Sequence, residues 1–250
     1  MSALLATNDM HVTRRVLVLR PLPAANLLAD ALLAAGHLPV VAPAIQIVPI
    51  APGLASSSDS RDADVVVFVS PAAVRFGLSR VKARSGAPWL AVGAATAAAL
   101  GHAGHQAITP QDQRSEGLLR LAALQSGDGD QVQILCGSRS RPLLRESLLQ
   151  RGFRVLETPV YERVPMPIES IIKALDTRPE VVLVTSIEIL DTFDLALGSL
   201  AAEPAAAIRA LPLLVPSQRV AEKAKVNGYT SIKIAGGADH ALLVTAVNSL

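Results

Sequence analysis

The chain repeats itself, and that repeat limits what it can fold into. Arg15–Arg20 (RVLVLR) is a short apolar run followed by a helical pattern ending at Gly36, and Val132–Cys136 (VQILC) leads into another ending at Gly152. Gly36 and Gly152 lie 116 positions apart, as do Pro43 and Pro159, Pro49 and Pro165, and Ser70 and Ser186, which close the runs VVVFVS and VVLVTS. Farther on the spacing settles at 124, pairing Gly104 with Gly228 and Ser115–Leu119 with Asp239–Leu243. Self-similarity at a fixed offset means one structural plan used twice. Each copy alternates Val/Leu/Ile runs with helical patterns that stop at glycine, which predicts parallel sheets covered by helices on both faces. The glycines suit the left-handed residue past a last helical turn. Ser70-Pro71 reads as a capping hydroxyl before a proline at the first helical position. Ser115-Glu116 reads as a helix start with an acid near the positive dipole end.

At roughly 100–200 residues per domain, 250 residues allow one large domain or two small ones. Half the residues are hydrophobic, 18% are charged and 3% aromatic, so the chain buries an Ala/Leu/Val core and is not disordered. A net charge of +2 excludes nucleic-acid binding by bulk charge but leaves room for a local basic pocket. Cys136 is the single cysteine, which excludes an intrachain disulfide and a cysteine-rich zinc site and fits a reducing, cytoplasmic setting. His102 and His105, set around Gly101 and Gly104, read as loop residues without a ligand cluster, so no metal is expected. Residues 1–13 lack the order of a signal peptide and read as a disordered leader. The uncharged stretches 31–58 and 85–111 are broken by proline or glycine, which argues against membrane spans.

The repeat leaves the domain partition open between two contiguous halves and a chain that crosses over. Val41–Ile50 and Glu157–Pro165 are equivalent under it, extended and proline-bearing, which suits a two-stranded ribbon better than a central strand.

Ligands of open α/β sheets bind beyond the carboxyl ends of the strands. The residues expected there are Arg20-Pro21, Ser70-Pro71, Gly93-Ala94-Ala95-Thr96, Gly137-Ser138-Arg139-Ser140-Arg141, Thr185-Ser186 and Pro216-Ser217-Gln218-Arg219. They are rich in hydroxyls, glycine and arginine and nearly free of carboxylates and histidine, which suits a carboxylate or phosphate ligand. The competing reading is that each hydroxyl only caps a helix and that Arg139 and Arg141 are solvated surface charges. Neither a nucleotide-binding phosphate loop nor GxGxxG is present. Cys136 reads as a small buried hydrophobe, and Asp191 and Asp194 as a solvated helix face. Tyr161, one of two tyrosines, lies in the proposed ribbon. Its phenol reads either as packing or as an acid, because a group of pKa about 10 donates a proton readily and accepts one poorly at neutral pH.

The chain resembles the uroporphyrinogen-III synthase family. The resemblance rests on VLVLRP (16–21), VFVSPAAVRF (67–76), AVGAATAAAL (91–100), SEGLL (115–119), the stretch from ILCGSRSRPLL to TPVYER (134–163), VLVTS (182–186) and PSQRVAEKAKVNG (216–228), in that order over nearly all of 15–248. It implies an α/β fold of two similar domains, each a flavodoxin- or Rossmann-like parallel sheet flanked by helices, joined by a two-stranded β-ladder hinge. Residues 15–45 with 166–250 would form one domain and 50–158 the other, with linker strands at 41–50 and 157–165 and the active site in the cleft. The family's candidate acid falls on Tyr161. Its cleft hydroxyls fall on Ser70, Thr96, Ser186 and Ser217, its arginine after the first strand on Arg20, and its Cys-Gly-Ser loop on Gly137-Ser138-Arg139. Gln218 stands where bacterial members commonly carry an acid. The implied reaction is cyclisation and dehydration of hydroxymethylbilane, an octacarboxylate, with inversion of its terminal pyrrole ring. It is carried out without a cofactor by a cytoplasmic monomer that engages neither nucleic acid nor membrane. The competing expectation is a non-catalytic two-domain binding protein for a polyanionic small molecule.

Overall fold

The structure, a computed structural model, describes residues 12–51, 61–127 and 130–250. Residues 1–11 of the expected leader lie outside the described residues. In chain order the elements are β1 (Arg15–Val18), α1 (Ala24–Ala34), β2 (Leu38–Val41), β3 (Ile45–Pro49), β4 (Val65–Phe68), α2 (Pro71–Gly77), β5 (Trp89–Ala91), α3 (Ala94–His102), α4 (Ser115–Leu118), β6 (Gln131–Gly137), α5 (Pro142–Gln150), β7 (Arg154–Pro165), α6 (Ile168–Leu175), β8 (Val181–Leu183), α7 (Ile187–Gly198), α8 (Ala202–Arg209), β9 (Leu213–Val215), α9 (Gln218–Val226), β10 (Ile232–Ile234) and α10 (His240–Asn248). The chain divides into two compact units. One takes residues up to Gln46 together with Val164–Leu250, and the other Ile47–Arg163.

The first unit holds a wholly parallel sheet in the order β10-β9-β8-β1-β2. Alternation along β1 shows why helices cover both faces. Leu17 and Leu19 enter the core beneath α6, α7 and α9, while Val16 and Val18 enter the opposite one with Leu28 of α1 and Leu243 of α10. Gly36 follows α1 with φ 82°, and its repeat partner Gly152 follows α5 with φ 86°, a conformation open to glycine at no steric cost.

The second unit's sheet runs β5-β4-β6-β7-β3. Its first four strands are parallel. β3 runs against β7, since Ile50 N–H donates to Val160 O while Met166 N–H donates to Ala44 O, in opposite order along the two segments. Val65 and Val67 face one core, Val66 and Phe68 the other. An isolated parallel bridge, Leu90 to Ile108, lies beyond β5. The repeat therefore maps one sheet onto the other strand by strand. β9, β8, β1 and β2 correspond to β5, β4, β6 and β7, and β10 corresponds to the Ile108 bridge.

Two local readings change. Glu157–Tyr161 does not stand apart as a ribbon, because β7 pairs with β6 through Tyr161 before continuing to Pro165. His102 is the last residue of α3, not a loop residue. Its Nδ1 lies 2.8 Å from Ala98 O, one turn back. His105 lies beyond the helix, its ring stacked on Trp89 at 4.2 Å. No described helix is long and apolar enough to cross a membrane.

Candidate functional site

In each sheet the chain reverses its direction of strand addition once, between β8 and β1 in the first unit and between β4 and β6 in the second. Such switch points leave a crevice outside the carboxyl ends of the strands. Arg20 and Ser186 follow β1 and β8, Ser70 follows β4 and Gly137-Ser138-Arg139 close β6, whereas Ser217 and Thr96 follow β9 and β5 and Tyr161 lies on β7.

In the second unit, Ser70 follows β4 and caps α2, its hydroxyl accepting from Ala73 N–H at 3.0 Å. The same hydroxyl donates to the phenolic oxygen of Tyr161 at 3.1 Å. Tyr161 reaches this place through a β-bulge. The β6–β7 register slips between Cys136 and Gly137, setting Pro159 opposite Cys136 but Tyr161 opposite Gly137. Consecutive strand residues ordinarily face opposite sides, yet Val160 and Tyr161 both join the core with Phe68 and Leu135. Re-aiming a side chain in this way is what a bulge does. Ser138 N–H donates to Tyr161 O at 2.9 Å, and Gly137 packs directly beneath the ring.

Beyond Ser138 the loop is exposed, Arg139 and Arg141 included. It is tied down by Ser140, which donates to Glu157 at 3.0 Å, with Arg145 pairing to Glu157 at 3.6 Å. Cys136 is buried, as its sequence setting suggested, and burial pushes its thiol up to about 11. Thr96 is 2% exposed, inside α3, and faces the interior. No local pattern singles out Gln113. Its side-chain oxygen accepts from Ala94 N–H at 3.0 Å, so it caps α3 where Gly93 lacks a side chain to do so.

In the first unit, Arg20 follows β1 and donates from Nη1 to Ala238 O at 3.0 Å. Burial lowers its pKa while the nearby Asp239 opposes that shift. One bond leaves most of a guanidinium's five donors open. Asp239 caps α10, accepting from Ala241 N–H at 2.9 Å. His240 beside it is held below the usual histidine pKa by burial and then by Arg20. These two were missed because their link to Arg20 spans more than two hundred positions, although an aspartate before an apolar helical run is a legible capping signal. Ser186 caps α7, accepting from Ile189 N–H at 3.3 Å. Ser217 precedes α9, and its side chain makes no capping bond.

Asp194 overturns its expected place on a solvated face. It accepts from Tyr229 Oη at 2.9 Å and Asn227 Nδ2 at 2.5 Å and pairs with Arg209 at 3.7 Å, with 16% of its side chain exposed. Burial and the carboxylate raise the Tyr229 pKa strongly. Asp191 fits the expectation, half exposed and 3.6 Å from Lys223.

Two open sheets, parallel except at β3, with serines, glycine and arginines at the carboxyl ends of their strands, define an open α/β protein. The family model described as uroporphyrinogen-III synthase HemD matches residues 26–244. The chain is 30% identical over 248 residues to the uroporphyrinogen-III synthase of Escherichia coli (strain K12), covering 93% of this chain and 99% of the relative. It is 32% identical over 251 residues to that of Salmonella typhimurium, again covering 93% and 99%. Among solved structures, the fold is similar to uroporphyrinogen-III synthetase from Helicobacter pylori 26695 (TM-score 0.60, 15% identity, 95% of this chain and 99% of that one). It is also similar to a mutant uroporphyrinogen III synthase from Thermus thermophilus (TM-score 0.56, 16% identity, 95% and 98%). The chain belongs to the uroporphyrinogen-III synthase family, lyases of tetrapyrrole synthesis, and this sets aside the reading of a non-catalytic binding protein.

Proposed function

We propose that the chain takes hydroxymethylbilane as substrate, removes its terminal hydroxyl as water and closes the macrocycle with the last pyrrole ring inverted. The observation that carries the catalytic part is the phenol of Tyr161, held 3.1 Å from the Ser70 hydroxyl beside the switch point of the second sheet. Loss of water from the hydroxymethyl carbon needs a proton on the departing oxygen. Tyr161 donates that proton, and the electron-rich pyrrole supplies the electron pair that expels the oxygen, leaving an azafulvene. The substituted carbon of the terminal ring attacks this electrophile to give a spiro intermediate; that carbon's original bond to the chain then breaks, the chain re-attaches at the ring's unsubstituted α-carbon, and the proton lost there restores the phenol. The substrate provides the electronic push, so the protein's part is to fold a flexible chain into one reactive geometry.

The eight carboxylates fit many neutral and cationic donors better than a few strong charges. We assign them to Arg20, Ser186 and Ser217 at one sheet, and to Gly137, Ser138 and Arg139 at the other. The stretches 45–49 and 162–165, within which the unit boundaries fall, serve as the hinge. Ser70 acts through the phenol, and the buried Thr96 supports the helix that carries it. The protein works as a cytoplasmic monomer without a cofactor.

The test is Tyr161→Phe, assayed on freshly made hydroxymethylbilane with the isomers resolved. Turnover falls by about 10²–10⁴-fold, the contribution of a positioned general acid, while circular dichroism and melting stay unchanged. Turnover close to that of the unmodified protein removes Tyr161 from the reaction.

A further inference from the structure

We propose that Gly137 is a positioning residue for Tyr161, its bare α-carbon being the seat on which the phenol ring rests. The inference rests on Tyr161 being the acid, and it gives Gly137 a role beyond contact with the substrate.

A β-carbon on Gly137 would lie 2.9 Å from both Cε2 and Cζ of Tyr161 and 3.2 Å from its oxygen. Carbon atoms in contact settle at about 3.5–4.0 Å, so any side chain here displaces the ring. The backbone is not the obstacle. Gly137 is absent from the residues with positive φ, so the ring and not the backbone opposes a methyl group at this position. Nor can the strands easily give way. The register fixes Tyr161 opposite Gly137, and Ser138 N–H donates to Tyr161 O at 2.9 Å. What yields is the outer end of the ring, which carries the reacting oxygen. That oxygen sits 3.1 Å from Ser70 Oγ, and Ser70 is itself fixed by its bond to Ala73 N–H. A methyl group at 137 therefore pushes the phenol off its partner without removing any group that could hold a carboxylate. The sequence alone reads Gly137 as a loop glycine, because the bulge that brings Tyr161 over it is a property of strand pairing.

The test is a cycle of Gly137→Ala, Tyr161→Phe and the double variant, each assayed for kcat and KM on hydroxymethylbilane and for melting temperature. A misplacement approaching 1 Å costs up to about 10²-fold, so Gly137→Ala is expected to lower kcat about 10- to 100-fold with KM within about two-fold. Added to Tyr161→Phe, it changes kcat less than about two-fold, because the group it disturbs is already gone. Equal losses in both backgrounds overturn the proposal, and so does a rise in KM at unchanged kcat. Undiminished activity in Gly137→Ala while Tyr161→Phe is impaired overturns this proposal alone. Undiminished activity in Tyr161→Phe overturns the reading of the acid beneath it. If Gly137→Ala does not fold, Gly137→Ala/Tyr161→Leu restores the melt when the ring is what the methyl meets, and no recovery overturns the seat.

Discussion

Ser70, Ser186 and Ser217 each follow a strand of similar sequence, yet their hydroxyls are engaged differently. The first two cap helices and the third does not. Ser186→Ala is expected to cost about 1 kcal/mol of stability, the usual worth of an N-cap. Ser217→Ala stays within about 0.5 kcal/mol, as a surface change away from such features does. Urea unfolding of the two variants checks the contrast. Any rise in KM for Ser217→Ala then reports on the ligand and not on the fold. Cys136 was legible from the sequence because a cysteine closing an apolar strand has one common environment. Its native thiol keeps its proton up to about pH 11, whereas the unfolded thiol ionises near 8.5. Stability linked to this group is complete below that lower value and is lost as pH rises toward the upper one. A thiol reagent at pH 8 is expected to label Cys136 only after urea is added, and fast labelling of the native protein would contradict its burial.

At the scale of elements, most of what could be read came from periodicity. The alternating apolar runs, the glycines closing helices and Ser70 before Pro71 all depend on neighbours in sequence, and all appear where expected. What escaped depends on partners far along the chain. Asp194 sits on an amphipathic helix and looks like a surface acid, but Asn227 and Tyr229, from the turn after α9, close over it. Tyr229→Phe removes a hydrogen bond to a charged acceptor, a contact worth about 1.5–3 kcal/mol. Calorimetry should show a lower melting temperature for this variant with unchanged turnover. Because the native state holds the Tyr229 proton more tightly than the unfolded chain, this contribution is present below about pH 10 and falls above it. The bulge at Cys136/Gly137 was equally hidden, since nothing in PVYER signals which of two successive residues the pleat will turn inward.

For the whole molecule, the two units differ in how the chain builds them. Ile47–Arg163 is one continuous stretch with cores on both faces of its sheet. The other unit needs both ends of the chain, since β1 lies between β8 and β2. A fragment spanning 47–163 is expected to melt cooperatively. Trp89, the single tryptophan, reports on it from its stack on His105. A fragment of 164–250, lacking Val16–Leu19, is expected not to. Circular dichroism of both fragments, with tryptophan emission of the first, decides this.

The matched sheets also differ in one respect that bears on what they are for. Under the spacing that carries Ser70 onto Ser186, Tyr161 falls on Ile45 and Gly137 on Pro21. Ile45 is a buried aliphatic in the core of its own unit. The proposed acid therefore stands on one copy of the duplicated scaffold only. The linear substrate proposed for it has two termini that are treated differently, and one aromatic hydroxyl with the notch under it supplies the matching asymmetry within an otherwise paired design.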